Sequence, residues 1–241
     1  MTKSLTPEII DLDGIEINVL RNARRKRVSL EVDASGVKVR APLKMHPKTI
    51  NDFVQSKRTW IKHHYDNRPT LAPTLNIENG ITLKLLDDDF ILRVIENKRA
   101  PVQINSTHIE LPVIQTQRPI EKTIKDKLIK WYKQQALNCL QDKVDFFAGE
   151  MGIPLKNNLK IKVRDYKRRW GSCDHNGDLA FNWRIIMAPE TVIDYIAVHE
   201  IAHMREFNHS KRFWAIVAAQ LPEWRQEHQW LSDNGSYLYR F

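Results

Sequence analysis

The chain has 241 residues, a formal net charge of +9 and two cysteines, Cys139 and Cys173. It is long enough to bury a sizeable core without a metal or disulfides, and two cysteines exclude both a disulfide framework and a four-cysteine zinc site. No apolar run is long enough to span a membrane and the amino terminus lacks a signal sequence, so we expect a soluble, cytoplasmic protein.

Residues 1–115 are predicted to form a strand-rich subdomain with one helix. Apolar residues alternate on both sides of a turn at residues 34–36, which predicts a hairpin that stops at Pro42. Apolar residues at helical spacing over residues 50–61 predict a single amphipathic helix. Strands are then expected over residues 81–113, with a turn at the three consecutive aspartates.

The hydrophobic period changes near residues 113–118, and we place a domain boundary there that gives a second domain over residues 116–241. Apolar residues at helical spacing predict one long helix that closes on a glycine. A strand, a glycine-serine turn and a hairpin turn at an Asn-Gly dipeptide are expected next, followed by a strand over residues 178–186. Pro189 then opens another helix.

The helix after Pro189 carries the pattern His199-Glu200-x-x-His203. Four residues along a helix advance about 6 Å and rotate about 40°, so both imidazoles leave one face and can reach a single zinc ion. Glu200 can then take a proton from bound water. A network of buried polar groups is the alternative, but an unpartnered carboxylate and two imidazoles are costly inside so apolar a helix.

A third ligand must come from beyond the motif. A straight helix would carry His209 about 120° round from His203, out of reach of the same ion. Asn208 is expected to end the helix, and Ser210 is expected to cap the next one. His209 would then occupy the corner between two helices and is our preferred ligand, with the carboxylate of Glu206 as the alternative.

Four segments of the second half belong together: "RRWGSC" (168–173), "FNWRIIMAP" (181–189), "VIDYIAVHEIAH" (192–203) and "NHSKRFW" (208–214). In combination they resemble the YgjP-like metallopeptidase family, a group of small zincins related to the SprT and WLM-type proteases. "RNARRKRVSLEVDASGVKVRAP" and "FVQSKRTWI" extend the resemblance to nearly the whole chain. The combination is far more specific than the five-residue motif alone.

The resemblance implies an α+β protein whose second domain is a zincin-like, gluzincin-type catalytic domain with an HExxH active-site helix. It implies Zn²⁺ held by His199, His203 and His209, with Glu200 as the general base. It also implies that the strand "DLAFNWRI" lies beside this helix and pairs its edge with an extended peptide. We therefore expect a zinc-dependent metallopeptidase that hydrolyses peptide bonds by Glu-assisted attack of zinc-bound water.

The roles of five other residues near these motifs stay open. Arg169, Trp170 and Tyr195 are candidates for stabilising the oxyanion. Cys173 is expected to be a buried structural thiol, with an approach to the site as the alternative. His228 is expected on a polar helix face rather than at the ion.

Basic residues cluster in two segments, residues 21–27 and 156–169. Solvated strand faces are one interpretation of these clusters, and contacts with a polyanion are another. The alternative function is therefore an SprT-like protease that associates with DNA, or a DNA-binding module with a structural zinc. A structural zinc needs a fourth protein ligand, which the sequence does not clearly offer, so an open catalytic site is favoured.

Overall fold

The computed structural model describes residues 8–33, 35–66 and 75–241. These residues form three small sheets and six α-helices, which confirms the predicted α+β class. The chain divides into two compact units, Met1–Ala72 and Pro73–Phe241, each with its own hydrophobic core. None of the helices in the described ranges combines the length and the apolar character that a bilayer crossing requires.

The first unit is a four-stranded sheet with two helices, and its strand order is β1-β2-β4-β3. Its strands are β1 Glu8–Leu12, β2 Ile15–Asn22, β3 Ser29–Asp33 and β4 Gly36–Pro42. β2 and β4 pair in parallel, and the predicted hairpin is confirmed as the antiparallel pair β3–β4, with Leu30 opposite Val39. Ala34, in the predicted turn, lies outside the described residues.

The helical segment of this unit differs from the prediction. Two helices, α1 Pro47–Ser56 and α2 Arg58–Asp66, replace the single helix expected over residues 50–61. Lys57 separates them because its backbone (φ −109°, ψ 12°) leaves the helical region. The hydrophobic period persists through this break, and the inward residues of both helices share the core of the unit: Ile50, Val54 and Ile61.

The second unit begins with a four-stranded sheet in the order β5-β6-β8-β7. Its strands are β5 Thr82–Leu85, β6 Asp88–Glu96, β7 Gln103–Ile104 and β8 His108–Val113. The turn between β5 and β6 consists of Leu86 and Asp87, both at positive φ, because a two-residue hairpin turn that follows the strand twist needs left-handed backbone. The expected turn at the three aspartates is therefore wrong, since the last two belong to β6.

A long helix, α3 (Ile120–Glu150), confirms the helix predicted after the sheet. Gly152 follows its last turn at φ +59°, a conformation that glycine adopts at little cost. The N–H of Gly152 bonds to the carbonyl of Gly149, and the N–H of Ile153 bonds to the carbonyl of Ala148. These two bonds form a Schellman motif, so the helix ends where the glycine predicted it.

The core of the second unit joins this first sheet to α3. Tyr132 on α3 donates a hydrogen bond to the carbonyl of Lys84 on β5 (2.8 Å), and Leu111 on β8 is buried in the same cluster as Leu128 on α3. The boundary between the units accordingly falls after residue 72, whereas we expected it near residue 115. The hydrophobic period changes near residue 115 because strands give way to a helix, and the core continues across that change.

The third sheet is short and has the order β10-β11-β9. Its strands are β9 Ile161–Arg164, β10 Gly171–Cys173 and β11 Leu179–Asn182. The predicted hairpin is confirmed as the antiparallel pair β10–β11. Gly171 and Ser172, which we expected in a turn, belong to β10 because they lie opposite Phe181 and Ala180 of β11.

The strand predicted over residues 178–186 ends at Asn182. A 3₁₀ helix, Trp183–Met187, follows because the side-chain oxygen of Asn182 accepts the N–H of Arg184 (3.2 Å) and caps the new turn. The helix predicted after Pro189 is confirmed as α4. The remaining elements are α4 Glu190–Ala202, α5 Lys211–Gln220, α6 Trp224–Asn234 and a 3₁₀ helix at Tyr237–Arg240.

A fragment of residues 75–241 is expected to unfold cooperatively, whereas a fragment of residues 116–241 is not. The shorter fragment lacks the first sheet of the second unit and exposes the apolar face of α3 that shares its core. Thermal unfolding followed by near- and far-ultraviolet circular dichroism tests this, with the intact chain as the control. A cooperative transition in the 116–241 fragment would move the boundary back to residue 115.

Candidate metal centre and active site

The end of α4 carries the predicted motif. His199 and Glu200 lie in its last turn, and His203 is its C-cap (φ −64°, ψ −19°). The expectation that the helix runs on to Asn208 is wrong. The N–H groups of residues 204–205 bond to carbonyls three residues earlier, and such tight bonds end an α-helix.

The short connection between α4 and α5 brings His209 close to the end of α4. Ser210 caps α5 as predicted, since its side-chain oxygen accepts the N–H of Phe213 (3.3 Å). His209 directly precedes this cap, and its Nε2 lies 3.0 Å from Nε2 of His199. The structure thus brings the three predicted histidines together.

The cluster has the dimensions of a metal site. One ring nitrogen from each of His199, His203 and His209 lies within 4.8 Å of the others. Two nitrogens on one tetrahedral zinc stand about 3.4 Å apart when each Zn–N distance is about 2.1 Å, so small adjustments would suit these rings to an ion. The ring of Phe213 packs against all three imidazoles, at centroid separations of 4.9, 4.5 and 4.7 Å. Among the described residues no carboxylate or thiol joins the cluster, and Glu206 lies outside it.

Two of the histidines, His199 and His203, are in the protonation state that a metal requires. Burial, together with the charges of His203 and His209, lowers the pKa of His199 to about 3. Burial also lowers the pKa of His203. His203 Nδ1 donates to the carbonyl of Glu206 (3.1 Å), which leaves its Nε2 as the acceptor nitrogen. Both rings are therefore neutral at pH 7, and Glu206 takes part through its backbone alone.

The carboxylate of Glu200 is buried and has few hydrogen-bond partners. It is 4% exposed, and its Oε2 has no hydrogen-bond partner among the described residues. Burial raises the pKa of Glu200 to about 8, and the guanidinium of Arg169 opposes that rise. So costly an arrangement points to a functional group rather than a structural one.

Gly171 on β10 makes room for this carboxylate. A Cβ added at residue 171 would lie 2.3 Å from Oε1 of Glu200 and 2.6 Å from its Cγ. Any side chain there would therefore push the carboxylate away. Gly171 was not predicted to take part in the site, although an isolated glycine between hairpin-forming residues is a signal for a close approach.

A cavity of about 660 Å³ opens in front of the histidines and Glu200. The three oxyanion candidates, Arg169, Trp170 and Tyr195, all line it. Cys173 lines it too, but burial raises the pKa of its thiol to about 11, so it stays protonated and is a poor metal ligand at neutral pH. His228, an exposed residue of α6, also lines the cavity with its ring edge-on to Tyr195 at 6.3 Å, but it lies outside the metal cluster, as predicted.

The sheet edge beside the cavity belongs to β10, not to the strand that we expected. β11, the "DLAFNWRI" strand, lies between β10 and β9 and is hydrogen-bonded on both sides. It therefore has no edge to offer a peptide. Of the two edge strands, β10 packs against α4 and contributes all three of its residues to the cavity lining.

Asn182 holds the backbone beside the cavity in place, and this role was not predicted from the sequence. It is fully buried, and its side-chain amide donates to the carbonyls of Tyr166 (2.9 Å) and Arg169 (3.4 Å) and to the hydroxyl of Tyr239 (2.8 Å). Its own N–H bonds to the carbonyl of Trp170 (2.7 Å). A lone amide among apolar strand residues was the available signal, because a buried amide needs several partners.

Comparison with known sequences identifies the family. The family described as "YgjP-like, metallopeptidase domain" matches residues 26–234, which include every site residue named above. The chain belongs to the YgjP-like metallopeptidase family. The resemblance found in the motifs is thereby confirmed, and membership implies a metal ion and a peptide or protein substrate.

Two solved structures are similar to this YgjP-like metallopeptidase over part of its length. The metallopeptidase zymogen abylysin of Pyrococcus abyssi is 19% identical, with a TM-score of 0.34 over 37% of this chain and 89% of its own. The metallopeptidase zymogen jannalysin of Methanocaldococcus jannaschii is 18% identical, with a TM-score of 0.32 over 37% of this chain and 93% of its own. No curated protein sequence matches significantly.

The predicted DNA association gains no support from the family. One basic side chain in each of the two clusters has an acidic partner. Arg21 pairs with Glu8 (2.7 Å), and Lys156 pairs with Asp178. Part of the positive charge that suggested a polyanion is thus used within the fold.

Substituting Gly171→Ala is expected to reduce peptidase activity by about 100-fold or more, because the new methyl displaces the carboxylate of Glu200 and misplaced catalytic groups cost that much. Hydrolysis of a quenched fluorescent peptide measures the loss, and thermal unfolding shows whether the fold survives. Gly149→Ala is the matched control, since a Cβ there meets open space on helix α3. A fully active Gly171→Ala protein would contradict the steric argument.

Substituting His209→Ala is expected to weaken zinc affinity by more than about 100-fold. Loss of a residue that only orients a metal ligand weakens metal affinity about 10- to 100-fold, and loss of the ligand itself should weaken it more. Glu206→Gln should bind zinc as the parent does, since its carboxylate lies outside the cluster. Competition with a chromogenic chelator measures both affinities. The reverse order of losses would make the carboxylate the third ligand.

Proposed function

We propose that this YgjP-like metallopeptidase is a zinc-dependent peptidase in which His199, His203 and His209 hold the ion and Glu200 is the general base. The observation that carries the proposal is the position of Glu200, a buried carboxylate that directly follows the first of three converging imidazoles and whose Oε2 has no hydrogen-bond partner among the described residues. Burying these polar groups costs free energy, and the fold does not need them for its stability. A bound ion and a role in catalysis account for that cost.

The donor set favours zinc over a harder cation. Three imidazole nitrogens suit zinc, whereas magnesium and calcium prefer oxygen ligands. Three protein ligands also match a catalytic zinc site, which keeps a position for water or substrate. The backbone carbonyl of Glu206 accepts a hydrogen bond from Nδ1 of His203 and so orients the ring. Histidines that bind a metal usually make such a second hydrogen bond.

Different groups around the cavity are assigned different roles in peptide hydrolysis. A zinc ion held by the three histidines would supply Lewis acidity that polarises the scissile carbonyl and acidifies a water molecule. Glu200 is the group that accepts a proton from water and delivers it to the leaving amine. Tyr195, a cavity-lining residue one helical turn before His199, is a hydrogen-bond donor for the oxygen on which negative charge develops.

The substrate is expected to bind as an extended peptide along β10. Its edge is open, and Gly171, Ser172 and Cys173 face the same cavity as Glu200. An added strand would satisfy backbone groups of β10 and hold the scissile bond beside the carboxylate.

Glu200→Gln should bind zinc with the parent affinity and lose at least about 1,000-fold in kcat, because the amide cannot accept the proton of water. Peptide hydrolysis and chelator competition on the same preparation measure the two quantities. Glu150→Gln, at the exposed end of α3 and outside the cavity lining, is the control and should stay active.

Activity in the parent should disappear on removal of metal with a chelator and return with added zinc. A Glu200→Gln protein as active as the parent, or a parent indifferent to chelation, would refute the mechanism.

A further inference from the structure

The cavity contains one fixed positive charge. Arg169 is the single Lys or Arg among the lining residues, and the single carboxylate among them, Glu200, is buried. Arg169 is exposed, and within the described ranges its guanidinium forms no ion pair. The cavity therefore presents an exposed cation to an incoming peptide, and the buried carboxylate of Glu200 is the acidic group of the lining on which it acts.

The guanidinium of Arg169 is held in place by two independent supports. It lies over the ring of Tyr166, at 5.2 Å from the ring centroid, and the hydroxyl of Tyr166 is hydrogen-bonded to Ser172 on β10 (3.0 Å). Asn182 fixes the backbone, since its amide donates to the carbonyls of both Tyr166 and Arg169. An arginine that is already ordered loses less entropy when it binds an anion.

The charges around this segment reinforce the effect. Lys167 and Arg168 directly precede Arg169 in the chain and are exposed. The neighbouring acid, Asp165, is engaged by the buried side chain of Arg184, which leaves less negative charge to oppose them. The end of the 156–169 cluster thus creates a positive potential at one rim of the cavity.

From this arrangement we infer that Arg169 selects peptides with an aspartate or glutamate side chain close to the scissile bond. The inference rests on the proposed peptidase function and adds a substrate class to it. A carboxylate side chain can form two parallel hydrogen bonds with the guanidinium, which a neutral or basic side chain cannot. The basic cluster that suggested DNA binding then has a role in substrate selection.

Selectivity separates this role from the alternative role of Arg169 at the oxyanion. An oxyanion contact forms with every peptide, so its loss would slow all of them equally. A contact with the substrate side chain changes the ratio between acidic and neutral peptides.

The test uses zinc-loaded full-length protein and quenched fluorescent peptides that differ only in having Glu, Gln or Lys at each position flanking the scissile bond. At one position at least, the parent should prefer Glu over Gln by about tenfold in kcat/KM, the size of effect expected from a charge-assisted hydrogen bond. The preference should shrink as salt rises, because the rim is open to solvent.

Variants of the same loop provide the controls. Arg169→Gln should abolish the preference for Glu, and Arg169→Glu should replace it with a preference for Lys. Lys167→Gln removes a charge from the same segment but not from the cavity lining, so it should retain the preference of the parent.

Failure of the selectivity and failure of the peptidase function give different results. Equal cleavage of Glu and Gln peptides by the parent, or an equal loss of both in Arg169→Gln, overturns the selectivity and leaves the peptidase intact. If the parent cleaves no peptide, the proposed function falls. Binding of the same peptides to zinc-loaded Glu200→Gln protein, measured by fluorescence anisotropy, then decides the selectivity alone: tighter binding of Glu peptides supports it, and equal binding overturns it.

Discussion

The close approach of β10 to α4 is the constraint on which the site depends. Glu200 fits between them only because residue 171 has no side chain, with a hypothetical Cβ 2.3 Å from its carboxylate. The approach keeps Glu200 dry, which raises its pKa, and it also sets the strand edge beside the group that would act on a peptide. Burying a carboxylate without a partner costs several kcal/mol, a cost that the rest of the second unit must offset.

Local signals were enough to predict the elements that carry the histidines. Pro189 and the apolar run that follows it specified α4, Ser210 specified the start of α5, and His199 and His203 fell one turn apart. The place where α4 ends was beyond such signals, because it depends on backbone hydrogen bonds within the turn that follows, and Asn208 offered a plausible but later stop.

Long-range contacts account for most of what the sequence did not reveal. Gly171 was taken for a turn residue because nothing local shows that a helix passes within van der Waals distance of it. Asn182 looked like one polar residue in a strand, although its partners lie up to 57 residues away at Tyr239. The boundary between the units was misplaced for the same reason, since the contact of Tyr132 with Lys84 joins elements that differ in hydrophobic period.

The open edge of β10 is three residues long, a feature that also bears on how the protein behaves toward copies of itself. Long exposed edges template the addition of strands from other molecules and lead to aggregation. So short an edge offers too few backbone groups to hold a second copy, and it can hold a peptide only briefly without help from side chains. The brevity of β10 therefore limits strand addition by other copies, and in the proposed function it also limits the number of backbone bonds that must break when a product leaves.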